Sequence, residues 1–520
     1  MLAAVRAAAV LGIEAYAVTV EVDVANGLPQ WTLVGLAASA VKESRERVAA
    51  ALLNTGFVLP PRRITVNLAP ADTRKEGTAL DLPVALGVLV ATGQLAPEAL
   101  DGRLFVGELG LDGGVRAVRG VLPIARHAAA AGCALVLPPA NVREAALVSG
   151  LALAAPATLA ALVEQLGAGA LRRAATPAPA PPAPARTLDF ADVVGQQGAK
   201  RALEVAAAGG HNLVLVGPPG AGKTMLARRL PSILPSLAES EALDVIAIHS
   251  VAGVLAEEAL QARERPFRAP HHSISEAGLI GGGSTPRPGE VSLAHQGVLF
   301  LDELLEFPRH VLEALRQPLE DGRVVVARAA ASVAFPARFT LVGATNPCPC
   351  GHAGDPAHAC TCTAADVARY RARLSGPLAD RIDMHVAVGA VPVRTLGAVA
   401  GGEPSSAMRE RVQQARERQS LRFAALAGVR CNAHVAGRWL DTRTAVDAAA
   451  RELLASAAER LGLSARGYHR VLKVARTIAD LDGDERLSAP AVAEAIRYRP
   501  ALPSLPPAAG RASVTAAVGA

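Results

Sequence analysis

The chain has 520 residues, 51% of them hydrophobic and 19% charged, a length that suits about three domains and leaves ample material to bury their cores. A formal charge of +6 and a pI of about 9.2 exclude a strongly acidic protein, but only five basic residues are lysine and 48 of the 53 are arginine, a skew that genome composition produces as readily as a nucleic-acid partner. Six cysteines do not make a disulfide scaffold and suit a reducing cytoplasm; Arg6 and Glu14 interrupt any signal-peptide core, and Ser149, Gly150 and Pro156 cut the uncharged run 145–163, so no membrane span is expected.

In chain order, residues 1–170 read as an α+β block. Strict alternation at 18–24 (Val-Thr-Val-Glu-Val-Asp-Val) predicts a half-buried strand, 38–54 an amphipathic helix, 63–68 a second strand and 83–92 a mostly apolar helix. The Pro/Ala run AATPAPAPPAPAR at 174–186 predicts an extended linker, which sets a linker segment at 171–186. From 187 to 400 helices and strands alternate: a helix at 196–208, a strand at 212–216, a helix at 223–230, and strands at 297–301 and 339–343. Parallel strands with crossover helices are the natural solution for that α/β pattern. Residues 401–503 lose the strand signal and predict helices at 409–419, 443–461, 465–481 and 489–497, before a disordered tail at 504–520.

The run Gly217-Pro218-Pro219-Gly220-Ala221-Gly222-Lys223-Thr224 directly follows the strand at 212–216. Its glycines let the backbone curl so that N–H groups converge on phosphate oxygens. Lys223 then reaches the β- and γ-phosphates of ATP, Thr224 ligates Mg²⁺, and the following helix adds its positive N-terminal end. About eighty residues on, Val298-Leu-Phe-Leu301 ends in Asp302 and Glu303. Carboxylates at the end of a parallel strand can hold the Mg²⁺ shell (Asp302) and polarise an attacking water (Glu303); the alternative is an acidic helix cap.

GPPGAGKT, VLFLDE, GATNPCPCG and SGPLADRID, in that order, resemble the AAA+ ATPases of the magnesium-chelatase group. PFRAPHHSIS at 266–275, with Gly278 to Gly283 after it, is similar to the bacterial YifB/ComM family of magnesium-chelatase-like proteins, and the resemblance runs over nearly the whole chain. It implies an AAA+ P-loop core with an all-α C-terminal lid. By resemblance Asn346 is the sensor-1 residue that orients water, Arg381 an arginine finger given in trans, and Arg466 the sensor-2 arginine of the lid. A finger in trans requires a ring, so a homo-hexamer is implied. Read without the family, Arg381 beside Asp380 and Asp383 is equally a surface salt bridge.

The resemblance also implies a motor that drives branch migration of DNA recombination intermediates in natural transformation. The alternatives are a chelatase-type motor that remodels a protein partner and an ATP-dependent protease of Lon type. The segment 267–290 resembles the helix-2 insert of this clade, and 322–336 reads as a β-hairpin of the kind that lines the pore in related rings. Arg323 and Arg328 would there meet DNA phosphates; the alternative is a hairpin packed on its own subunit. His271-His272 has no acidic or cysteine neighbour in sequence and reads as structural.

Cys348, Cys350, Cys360 and Cys362 supply the four thiols of a tetrahedral Zn²⁺ site, although C-x-C bends more sharply than the usual C-x₂₋₄-C, and a loop of reduced thiols is the competing reading. The N-terminal block, through Lys75-Glu-Gly77 and 107–115, resembles the Lon-protease-like (S5-like) domain. Ala79 stands at the nucleophile position and Leu122 at the lysine position, so no Ser–Lys dyad exists and a scaffold or partner-binding role is expected.

Overall fold

The computed structural model describes residues 2–36, 41, 43–73, 75, 77–175, 188–260, 263–283, 286–328, 331–354, 358–391 and 402–499, with only the backbone at 328 and 331. Most of the Pro/Ala linker, the tail at 504–520 and the start of the helix expected at 38–54 lie outside the described residues. The chain forms two compact units. One gathers Met1–Leu188, Ala227–Ala344 and Ala365–Arg381; the other gathers Asp189–Leu226, Thr345–Ala364 and Ile382–Ala520.

In the first unit, strands Leu2–Leu11 and Glu14–Ala25 pair antiparallel from Leu2 opposite Asp23 to Leu11 opposite Glu14. Arg63–Ala69 adds antiparallel to the second strand, and Gln30–Val34 adds parallel to that. Period-two alternation turns Val18, Val20, Val22 and Val24 to one buried face, opposite Ala7, Val5 and Ala3. The helix Asp81–Ala91 lies in this core with all its residues buried, as a helix apolar on every side must. Gly87 permits the contact, since a Cβ there would stand 2.5 Å from Val22 Cγ2. Asp81, its one carboxylate, is neutralised by Arg47, which donates two bonds of 2.7 and 3.0 Å.

A second small sheet in this unit orders Arg103–Phe105, Ala134–Val136 and Leu153–Ala154 in parallel. The helix Val121–Ala130 packs on it and also meets the segment Ala227–Ala344. There Leu122 is buried with Ile246 and Ala247 of the helix Glu239–Ala252. A buried polar contact completes the seam. Glu144 Oε1 accepts the Leu122 N–H at 2.7 Å and the Ser250 hydroxyl, and Ser250 Oγ in turn accepts the Gly120 N–H at 2.9 Å. The position matched to a protease lysine is therefore interface core. Ala79 packs half-buried beside the small sheet.

The same unit holds parallel strands Phe267–Arg268, Val298–Leu301 and Thr340–Thr345, the last running to the unit boundary. Val298–Leu301 is buried at every residue, as a strand covered on both faces should be. The expected hairpin forms from Arg323–Arg328 and Ala331–Pro336, with Val324 and Val326 buried and Val325 exposed.

In the second unit, Leu213–Val216 pairs parallel with Met384–Ala387. Helices follow at Gln197–Gly209, Ser405–Arg422, Gly437–Arg443, Ala448–Arg460, Ala465–Asp482 and Ala489–Arg497. The helix expected at 443–461 forms at Ala448–Arg460, starting later than expected, and a separate helix, Gly437–Arg443, ends where it was expected to begin. A parallel bridge of Val446 with Leu487, closed by Asp447 N–H to Leu487 O (3.0 Å) and Leu487 N–H to Ala445 O (2.8 Å), holds the intervening residues extended. Beta-branched Thr444 and Val446 suit that conformation. The all-helical region centres on Asp480, fully buried, which accepts from Arg422, Asn432 (2.8 Å) and Arg476 (3.1 Å). No helix of the described residues is long and apolar enough to cross a membrane.

Candidate functional site

The strand Leu213–Val216 delivers the chain into the glycine loop. Gly220 and Gly222 take φ of +77° and +86°, the left-handed region that L side chains avoid. Gly217 has a different reason: a Cβ there would lie 2.1 Å from the Val388 carbonyl oxygen. Lys223 opens the helix Lys223–Ile233, and its ammonium turns back over the loop. It donates to Gly217 O at 2.7 Å, Pro218 O at 2.9 Å and Asn346 Oδ1 at 3.2 Å. Asn346 follows the strand Thr340–Thr345 directly, and Gly217 N–H donates to Thr345 O at 3.2 Å, which fixes the two segments together. The half-buried Thr224 comes next on the helix.

Gln196 was not read from the sequence. Itself left-handed at φ 56°, it donates from Nε2 to Ala221 O at 3.1 Å and Gly389 O at 2.7 Å, and so buttresses the loop from outside the motif.

In the first unit the acidic pair ends the strand Val298–Leu301. Glu303 adopts φ 51°, and its N–H donates to Asp302 Oδ1 at 3.0 Å. His272 Nδ1 lies 3.4 Å from Glu303 Oε2. Parallel pairing explains this partner: Phe267 stands opposite Val298, so five residues on, 272 falls beside 303. His272 is flanked by the His271 ring at 4.1 Å and the Phe307 ring at 6.4 Å. The histidine pair expected to be merely structural thus has an acidic neighbour, separated in sequence but adjacent in the sheet.

Arg381 is 17% exposed; it pairs with Glu320 and donates to Pro377 O at 2.8 Å. Asp383, expected as one alternative partner, instead accepts the Asn212 N–H at 3.2 Å and faces His211 at 3.4 Å. Arg466 is exposed in the first turn of Ala465–Asp482, a helix capped by Ser464. Arg323 is exposed on its strand; the Arg328 side chain lies outside the described residues.

The four cysteines expected to act together do converge. The sulfurs of Cys348, Cys350, Cys360 and Cys362 all lie within 4.8 Å of one another, a set that could hold a metal ion. Hydrogen bonds from backbone N–H groups of His352 and Thr361 pull the Cys350 thiol down to about 5. Cys362 is pushed up to about 12 although the Cys350 N–H favours its thiolate, because burial and the neighbouring sulfurs oppose the charge.

The family description "Magnesium chelatase, subunit ChlI" matches residues 189–396, "Subunit ChlI of Mg-chelatase" residues 20–141, and "Magnesium chelatase, subunit ChlI C-terminal" residues 402–499. The competence protein ComM of Haemophilus influenzae is 45% identical over 506 residues, covering 96% of this chain and 97% of the relative. The chain belongs to the YifB/ComM family of magnesium-chelatase-like proteins. YifB of Salmonella typhimurium is similar at 44% over 504 residues, with 96% and 97% covered. The magnesium-chelatase 38 kDa subunit of Rhodobacter capsulatus matches at 29% over 175 residues, 30% of this chain and 50% of that protein. Membership in this family makes the chain an AAA+-type motor protein.

Proposed function

We propose that this chain is an ATP-hydrolysing ring motor, a cytoplasmic homo-hexamer that moves single-stranded or branched DNA as a branch-migration helicase in recombination during natural transformation. The observation that carries the nucleotide reading is the Lys223 ammonium, held over the glycine loop by two loop carbonyls and by Asn346. Phosphate oxygens are the stronger acceptors for that ammonium, and left-handed Gly220 and Gly222 give the loop the curl that phosphate needs.

In this reading residues 217–222 wrap the phosphates and Lys223 neutralises the β- and γ-phosphates. Thr224 and Asp302 hold Mg²⁺, which when bound draws charge off the phosphoryl oxygens. Glu303 takes a proton from the attacking water, Asn346 orients that water, and Arg466 reaches the nucleotide from the lid. Arg381 of a neighbouring subunit stabilises the transition-state charge; until it is engaged, Glu320 keeps the guanidinium docked on its own unit.

DNA as the cargo is supported by exposed Arg323 on the hairpin and by similarity to a protein named for competence. The Arg328 position on the same hairpin adds a second cation to that contact. Residues 1–170 serve as a Lon-protease-like scaffold without a dyad, and the four thiols take a structural zinc ion.

The test is ATP hydrolysis by the wild type and Glu303→Gln with no DNA, single strands or a four-way junction. DNA-stimulated turnover with junction movement, lost in Glu303→Gln, is expected. Hydrolysis without stimulation or movement overturns the DNA motor and leaves a protein-remodelling motor in its place.

A further inference from the structure

The loop that carries the four cysteines is also a wall of the phosphate loop. Cys348 stands two residues after Asn346 and is fully buried, and Asn346 holds the Lys223 ammonium at 3.2 Å. Between Cys348 and Cys350 the chain turns sharply. Gly351, left-handed at φ +87°, then brings its backbone against Pro219, where a Cβ would stand 2.7 Å from Pro219 Cδ. The phosphate loop and the thiol loop therefore touch at two places, one at each side of Cys348.

The thiols themselves are arranged as ligands. Sulfur–sulfur separations are 3.4 Å for Cys348–Cys350 and 3.6 Å for both Cys348–Cys360 and Cys350–Cys360. A tetrahedral zinc with Zn–S distances of about 2.3 Å sets its sulfurs about 3.8 Å apart, so little movement would seat the ion. Backbone N–H groups already aim at sulfur, among them Cys350 N–H at Cys362 Sγ (3.4 Å) and Ala353 N–H at Cys348 Sγ (3.2 Å). Such second contacts stabilise thiolates and orient ligands.

We infer that zinc held by Cys348, Cys350, Cys360 and Cys362 clamps the thiol loop onto the phosphate loop, so that metal loading sets nucleotide affinity. The inference rests on the zinc and nucleotide readings above and adds their coupling. Without the ion, Cys348 and Cys350 lose their cross-link to Cys360 and Cys362, and both the Pro219 wall and the Asn346 contact lose their support. The ion is structural in charge and geometry, since four thiolates leave it no open position for water.

The experiment uses the full chain in three forms: wild type, Cys360→Ser/Cys362→Ser, and Gly351→Ala. The double variant removes two ligands distant from the Pro219 contact. Gly351→Ala keeps all four thiols and sets a Cβ against Pro219, at a left-handed φ of +87° that also strains the turn after Cys350. Zinc is measured by mass spectrometry of the purified protein, and the site is confirmed by the thiolate-to-cobalt charge-transfer band after cobalt exchange; affinity is read with a fluorescent ATP analogue.

One zinc per wild-type chain is expected, with none in the double variant and about tenfold weaker nucleotide binding there, equivalent to roughly 1.4 kcal/mol. Gly351→Ala should retain zinc and the cobalt band yet also bind nucleotide more weakly. Zinc-free wild type with no cobalt band overturns the metal site. Full zinc with nucleotide affinity unchanged in both variants overturns the clamp and leaves the metal site standing. Zinc present in a wild type that binds no nucleotide overturns the nucleotide reading, and the clamp with it.

Discussion

Leu122→Ala tests the seam between the N-terminal block and the helix Glu239–Ala252. Leu122 is fully buried against Ile246, itself only 5% exposed, and Ala247. Deleting a buried leucine side chain costs about 2–5 kcal/mol, less where neighbours can close the gap. Here Leu147, Leu243 and Leu255 at the margin are only partly buried and free to shift, so a cost of about 2–3 kcal/mol is expected. Ile246→Ala should cost about the same. Because the two side chains share one contact, the double variant should lose less than the sum by at least about 0.5 kcal/mol. The assay is urea unfolding in a Trp439→Phe background, which leaves Trp31, packed on the core of the N-terminal block, as the one tryptophan. Circular dichroism on the same samples checks that one transition is being read. Strictly additive losses, or a Leu122→Ala cost below about 0.5 kcal/mol, would refute the seam.

Three more outcomes are expected. His272→Ala should slow ATP hydrolysis by about 1.4- to fivefold with the Michaelis constant for ATP unchanged, because the partly exposed 3.4 Å pair with Glu303 contributes roughly 0.2–1 kcal/mol; a loss beyond about a hundredfold would show that the imidazole does more than orient the carboxylate. Glu144→Gln should raise thermal stability at neutral pH. Burial raises the folded carboxyl's pKa above its ordinary 4.5, so the native chain holds the extra proton and wild-type stability falls as pH rises from 4.5 through the raised value. The gap between variant and wild type should close below 4.5 in a calorimetric pH series, and a gap that widens there would contradict the sign. Asp480→Ala should cost about 3–5 kcal/mol in the all-helical region, read from Trp439 fluorescence, because it leaves nearly fully buried Arg476 without its carboxylate; a shift under about 1 kcal/mol would mean that water reaches the site.

What the sequence made legible were features whose cause is local. The glycine loop announces itself because an apolar strand and a run of small residues adjoin in sequence, and the acidic pair because it caps an unbroken apolar strand. The hairpin at 322–336 could be read because two short apolar runs with β-branched and aromatic residues, 324–326 and 333–335, lie close together in sequence. Hidden from it was whatever depends on register between distant strands. His272 meets Glu303 only because Phe267 pairs with Val298, and no window of sequence contains both residues. Gln196 supports the loop by folding back across it from before its strand. The strand Leu2–Leu11 passed unread because its consecutive alanines carry no alternation, although pairing with Glu14–Ala25 holds it extended. The start of the helix expected at 443–461 was misplaced for the converse reason: local propensity ran through a bridge to Leu487 that only the tertiary structure supplies, and the helix begins at Ala448.

The seam has a consequence for the order of synthesis. Gly120 and Ser250, joined by a hydrogen bond, are 130 residues apart, and neither compact unit is one continuous stretch of chain. At about 5–20 residues per second, the ribosome needs on the order of ten seconds to deliver the helix that covers Leu122 after the block bearing it has emerged. During that interval the nascent chain shows an uncovered leucine and a carboxyl group without its serine. The chain's own next segment, the helix Glu239–Ala252, then covers both.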